Sequence, residues 1–155
     1  HGRQIDNAFK GTAGGFQVSV FDYTYYVTFS TRKIRRQTVV MIASQRINLP
    51  LFYLQPQGGG LLQQMGAAVA ATRDINFPSN PSFSGRYLLY GQDEARVRQI
   101  FDDRALSHFD AVNNGFIVEG GGNLIFLYRD EVLAAPNQLR GMMDEGLKIA
   151  NLFAR

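Results

Sequence analysis

Four cations crowd into five consecutive positions, Arg32, Lys33, Arg35 and Arg36. Side chains of that kind at that density are suited to anions, the phosphates of lipid headgroups or of nucleic acid. Tyr23, Tyr25 and Tyr26 precede them, so aromatic rings stand close to the charge. Other reactive groups are sparse. The chain has no cysteine, which excludes disulfides, thiolate nucleophiles and every cysteine-containing zinc site. Of two histidines, His1 opens the chain and reads as a tag remnant, leaving His108. One imidazole is too little for a metal centre. As a general base it needs an orienting partner, and as a structural histidine it needs only a half-buried place on a helix. Ser44 and Ser84 lack the G-x-S-x-G turn of a serine nucleophile. The acidic pairs Asp93-Glu94, Asp102-Asp103, Asp130-Glu131 and Asp144-Glu145 are adjacent in sequence. Neighbours on a helix point about 100° apart, so these pairs read as solvated faces. Gly58-Gly59-Gly60 is followed by Leu61-Leu62-Gln63, without the Lys-Ser/Thr of a phosphate loop. The sequence indicates no cofactor, no metal and no identifiable small-molecule ligand.

The elements that hold these residues follow from pattern. Phe16 to Ser44 reads as a long hairpin with the cations at its tip, Ser30 to Arg36. Apolar residues on its first arm are even-numbered up to Val20 and odd-numbered from Phe21 to Phe29. Strand side chains alternate strictly, so the change of phase predicts a bulge or a bend near Val20–Phe21. The return arm, Gln37 to Ser44, is apolar through Val39, Val40, Met41 and Ile42, which predicts burial on both faces. Further strands are expected at residues 4–10, 51–55, 74–77, 87–90, 116–119 and 124–129. Helices are expected over 61–72, from an Asp93 cap to about Val112, and from Pro136 to about Phe153. Pro78-Ser79-Asn80-Pro81-Ser82 reads as loop. Hairpin-length connections dominate. The fold class is therefore α+β, a mainly antiparallel sheet with about three helices in a single domain over residues 1–155.

Composition sets the outer bounds. Length, 155 residues, suits one domain, and 45% apolar residues suffice for a core. The net charge of +3 and pI of 9.4 are mild, which argues against nucleic acid as the main partner. No apolar run reaches the roughly 20 residues of a membrane span. The His-Gly start is expected to mark a cut chain whose parent extends further at its N-terminus.

Several longer patterns bear a resemblance. Phe21-Asp22-Tyr23-x-Tyr25, Arg35-Arg36-Gln37-Thr38-Val39 and Asp74-Ile75-x-Phe77 resemble a bacterial domain family of unknown function. So do Pro81-x-Phe83-Ser84-x-x-Tyr87-Leu88-Leu89-x-Gly91-x-Asp93-Glu94 and Phe116-x-Val118-Glu119-Gly120. The resemblance implies a domain that follows N-terminal membrane helices and sits at the cytoplasmic side of a bacterial membrane. It carries no catalytic residues across.

The leading reading is a non-catalytic interaction or sensory domain of a membrane-associated bacterial protein. It would meet a protein partner or anionic headgroups through Arg32, Lys33, Arg35 and Arg36. Against it stand a solvated hairpin turn, an enzyme of unknown class, such as a hydrolase, using His108 or a carboxylate such as Asp22, and a nucleic-acid binder using the same basic tip.

Overall fold

The computed structural model describes residues 3–28, 32–58, 73–112 and 114–155; side chains at 27, 28, 32 and 33 lie outside the description. The helix expected over 61–72 falls outside these residues.

Seven strands form one sheet. They are β1 (Arg3–Ala13), β2 (Phe16–Thr28), β3 (Arg32–Ala43), β4 (Leu49–Pro56), β5 (Tyr87–Gly91), β6 (Ile117–Gly122) and β7 (Leu124–Tyr128). Their spatial order is β1-β2-β3-β7-β6-β4-β5, and every pairing is antiparallel. Among the described residues there are four helices: α1 (Pro81–Arg86), α2 (Glu94–Ile100), α3 (Asp103–Ala111) and α4 (Pro136–Phe153). The α+β class and the antiparallel sheet are as the sequence predicts.

One face of the sheet carries the main core. Val18 and Val20 of β2, Val40 and Ile42 of β3, Phe52 and Leu54 of β4, and Ile125 and Leu127 of β7 point there, under the helices. α4 crosses β3 and β7, and α2 lies over β4 and β5. Gly146 permits the closest approach of α4, since a Cβ there would stand 2.9 Å from Ile42 Cδ1. The other face carries a second cluster, Val39, Tyr53, Tyr90, Ile117 and Tyr128, with Phe21, Tyr23, Leu88 and Phe126 packed against it.

The expected irregularity is present at Phe21, but on the partner strand: between the pairs Asp6–Asp22 and Phe9–Val20, two residues of β1 stand against Phe21 alone. β2 pairs with β3 in unbroken register from Gln17 to Thr28. The apolar phase changes at Phe21 because the helical cover stops at Val20 and the second cluster takes over on the opposite face. The extra residue lies in β1, between Asp6 and Phe9. There Asn7 has a φ of 50° and donates its Nδ2 to Asp22 Oδ2 at 2.8 Å. Thr38 Oγ1 donates to the other carboxylate oxygen at 2.6 Å.

Three more expectations change. The helix expected from Asp93 to Val112 is two helices, because Asp102 caps α3 by accepting from the Arg104 and Ala105 amides. The expected loop holds over Pro78–Asn80 and ends there, since Pro81 and Ser82 are helical. Asn80 caps α1 by accepting from the Phe83 amide, and Pro81 starts the helix. Residues 74–77 are not a strand: Ile75 donates to the Leu89 carbonyl at 2.7 Å and Asp74 Oδ1 accepts from the Leu89 amide at 2.9 Å.

β4 and β6 approach closely where Gly120 faces Phe52. A Cβ on Gly120 would lie 2.2 Å from Phe52 Cε1, and the ring is held edge-on by Phe101 and Phe153 at 5.1 and 5.7 Å. A Cβ on Gly121 would crowd Leu51 Cδ2 at 2.5 Å, the far end of a side chain that is 65% exposed and free to turn away. Gly120→Ala should therefore destabilise the fold by about 1–3 kcal/mol through overpacking, and Gly121→Ala by much less. Urea unfolding of the two variants checks the contrast.

Candidate functional site

The basic residues are strand residues. Arg32, Lys33, Arg35 and Arg36 all fall within β3, opposite Thr28, Val27, Tyr25 and Thr24. Alternation along a strand therefore divides their positions between the two faces. Arg35 belongs to the face of Tyr23 and Tyr25, where it pairs with Glu131 at 2.8 Å and Asp130 at 3.6 Å. Burial raises the Asp130 carboxyl, with Arg35 opposing that shift. Burial, then the charge of Asp130, push the Tyr25 phenol up to about 12. Tyr23 stacks on Tyr25 with ring centroids 5.4 Å apart. Arg36 is exposed on the other face. There Tyr26 stands opposite Ile34, and both remain open to solvent, 42% and 59% exposed. This end of the ribbon runs on past the helices: Tyr26 lies about 20 Å along the strand beyond Val20, at about 3.4 Å per residue.

The two groups weighed for catalysis are in separate networks. His108 Nε2 is 2.8 Å from Glu145 Oε1, a contact that joins α3 to α4. Glu145 was expected to face water with the rest of its acidic pair, and is instead buried. Asp22 is engaged by Asn7 and Thr38 at the β1 irregularity. Thr38 Oγ1 also accepts from the Ala134 amide, which anchors the approach to α4. Among the described residues no three His, Cys, Asp or Glu side chains converge in the manner of a metal site.

The other patterned residues have structural employment. Ser84 Oγ accepts from the Phe77 amide at 2.8 Å. Tyr87 Oη donates to the carbonyls of Phe109 and Val112 at 3.0 and 2.8 Å, closing the end of α3. Phe83 and Phe101 are in the main core.

What the sequence does not announce is a polar cluster inside the second face. Glu119, Tyr128, Tyr53 and Gln55 come from β6, β7 and β4. Tyr128 Oη donates to Glu119 Oε1. Tyr53 Oη donates to Gln55 Oε1 at 3.4 Å. Burial raises Glu119 above the usual carboxylate range, and burial together with the Glu119 charge raises Tyr128 and Tyr53. Beside the cluster lies a cleft of about 310 Å³. Leu51, Tyr53, Tyr90, Glu119, Leu124 and Phe126 contribute to its walls. A second cleft, about 320 Å³, lies between β1 and α4, with Phe9, Val18, Met143 and Leu147 among its residues. Neither cleft is lined by His108 or Asp22.

Comparison with known proteins identifies a fold. No protein-family model matches the chain, and no curated protein matches its sequence. Among solved structures, the crystal structure of the mycobacterial trehalose monomycolate transport factor A, TtfA, is similar. Its TM-score is 0.62 at 14% identity, over 96% of this chain and 70% of that one. What the two share is the arrangement of strands and helices. Among the described residues no helix is long and apolar enough to cross a membrane.

The raised Glu119 has a measurable consequence. Its folded form holds the proton more tightly than the unfolded chain, whose ordinary value is 4.5. The stability linked to this group is therefore complete below 4.5 and is lost as pH rises through the higher folded value. Glu119→Gln should remove that decline. Urea unfolding of wild type and variant across this range should show their stability difference changing with pH in that sense.

Proposed function

We propose that this domain is a non-catalytic interaction module of a membrane-associated bacterial protein, and that it meets anionic lipid headgroups through the β2–β3 ribbon. The observation that carries this reading is the exposed Tyr26–Ile34 pair, with Arg36 on its face and position 32 at the same phase of the strand. An aromatic and an aliphatic side chain with flanking cations suit the headgroup boundary, where rings and apolar groups insert and basic groups meet phosphate. Each basic residue near an anionic surface contributes about 1 kcal/mol. Arg35 is already held by Glu131 and Asp130, so its part is to fix the ribbon, while Arg32, Lys33 and Arg36 supply the attraction.

Two further considerations support the reading. The similar fold belongs to a protein named as a transport factor for trehalose monomycolate, which is compatible with work beside a membrane. The family resemblance carried by Phe21-Asp22-Tyr23-x-Tyr25 and Arg35-Arg36-Gln37-Thr38-Val39 implies a tether at the cytoplasmic side of such a membrane. On this proposal the two clefts described lend nothing to the enzyme reading, since neither is lined by His108 or Asp22.

Vesicle flotation tests the proposal. The protein should float with phosphatidylglycerol-containing vesicles and not with neutral ones, and salt should weaken the binding. Replacing Arg32, Lys33, Arg35 and Arg36 by Ala should weaken it by more than about 100-fold. Ile34→Glu should also abolish flotation, by placing an anion where the apolar pair inserts. Equal flotation of wild type and the four-Ala variant would sink the idea, as would no flotation of wild type.

A further inference from the structure

The cleft on the second face has walls of two kinds. Tyr53, Tyr90 and Phe126 supply rings, and Leu51 and Leu124 supply aliphatic surface. Glu119 is the acidic residue among the lining side chains. One of its carboxyl oxygens, Oε1, is taken by Tyr128. Oε2 has no hydrogen-bond partner among the described residues. A purely apolar guest would use the rings and leave that oxygen unmatched, at the cost of a desolvated polar group. An anion would be repelled by the carboxylate. A cation on an apolar body matches both, since ring faces attract positive charge and the carboxylate supplies the opposite charge.

We infer that this cleft binds an organic ammonium group, a primary to quaternary amine on a small body, with Glu119 as counter-ion and Tyr90 and Phe126 as aromatic walls. The inference is independent of the headgroup reading, which concerns the far ribbon. The cleft volume, about 310 Å³, admits an ion of the size of choline or tetramethylammonium with room for a substituent. Gly120 and Gly121 line the same cleft, so their amides report on its occupancy. The titratable groups facing Glu119 are phenols: Tyr128 from β7 and Tyr53 from β4, with Tyr90 of β5 across the cleft. These stay neutral where a carboxyl titrates. Burial holds the free Glu119 proton tightly, so binding a cation must expel it, and affinity should rise with pH.

The test is a titration of the isotopically labelled protein followed at the Gly91, Gly120 and Gly121 amides by NMR. Choline and tetramethylammonium should give saturable shifts there, with dissociation constants in about the millimolar range. The neutral isostere 3,3-dimethylbutan-1-ol should bind at least about 10-fold more weakly. Glu119→Gln should weaken choline by about 10-fold and abolish the rise with pH. Phe126→Leu keeps an apolar wall and should weaken it by about two- to fivefold. Unchanged amide positions elsewhere show that each variant is folded, and Phe126→Leu tests the site should Glu119→Gln not fold. Monomeric dihexanoylphosphatidylcholine separates the sources: tighter binding than choline assigns a lipid headgroup, weaker binding a free amine. No saturation at about 50 mM choline, an isostere that binds as well as choline, or affinity that falls as pH rises would each overturn the inference.

Discussion

The helices cover one face of the sheet, and β3 has to be buried on both. Val40 and Ile42 lie under α4, while Val39 and Gln37 are buried on the opposite side without a described helix above them. The second face is therefore closed largely by its own side chains. Large rings do this well, because each covers much surface with few rotatable bonds. Tyr53, Tyr90 and Tyr128 are the result, and their hydroxyls create a further requirement, since a buried phenol needs a partner. For Tyr53 and Tyr128, Gln55 and Glu119 meet it. The polar cluster is thus a consequence of how an antiparallel sheet with one-sided helical cover fills its other side.

Much of this was legible in the sequence. Alternation gave the arms of the hairpin, the near-continuous apolar run at Val39–Ile42 predicted double burial, and Pro136 marked the start of α4. The misreadings have specific physical causes. Asp102 follows Phe101 on what looks like one amphipathic face, and only its side chain reaching back to two amides shows that a new helix begins. The phase change at Phe21 reads locally as a bulge in β2 itself, because sequence does not show where the helices stop. Glu145 reads as half of a solvated pair until α3 brings His108 to it.

The two candidate sites differ in legibility for the same reason. The cations of β3 are adjacent in sequence, so they attract notice, yet strand geometry parts them and ties one to Glu131. The members of the cleft are dispersed over β4, β5, β6 and β7, and each is an ordinary strand residue. The one signal available was Glu119 itself, a carboxylate in a strand between Val118 and Gly120 in a hairpin otherwise apolar. A charged residue at such a position asks what surrounds it, and pairing of strands far apart in sequence supplies the answer.

The irregularity at Asn7 bears on how the molecule keeps to itself. β1 is an outer strand of eleven residues, and a flat strand of that length with its outward amides unpaired is a template for other chains. The extra residue divides its ladder into two short runs, Arg3–Asp6 and Phe9–Ala13, with a kink between them that Asp22 fixes through Asn7. At the other margin, Asp74 and Ile75 already occupy the Leu89 amide and carbonyl of β5. Both margins of the sheet are thereby made poor places for a stray strand to add, which protects the chain against fibrous self-assembly.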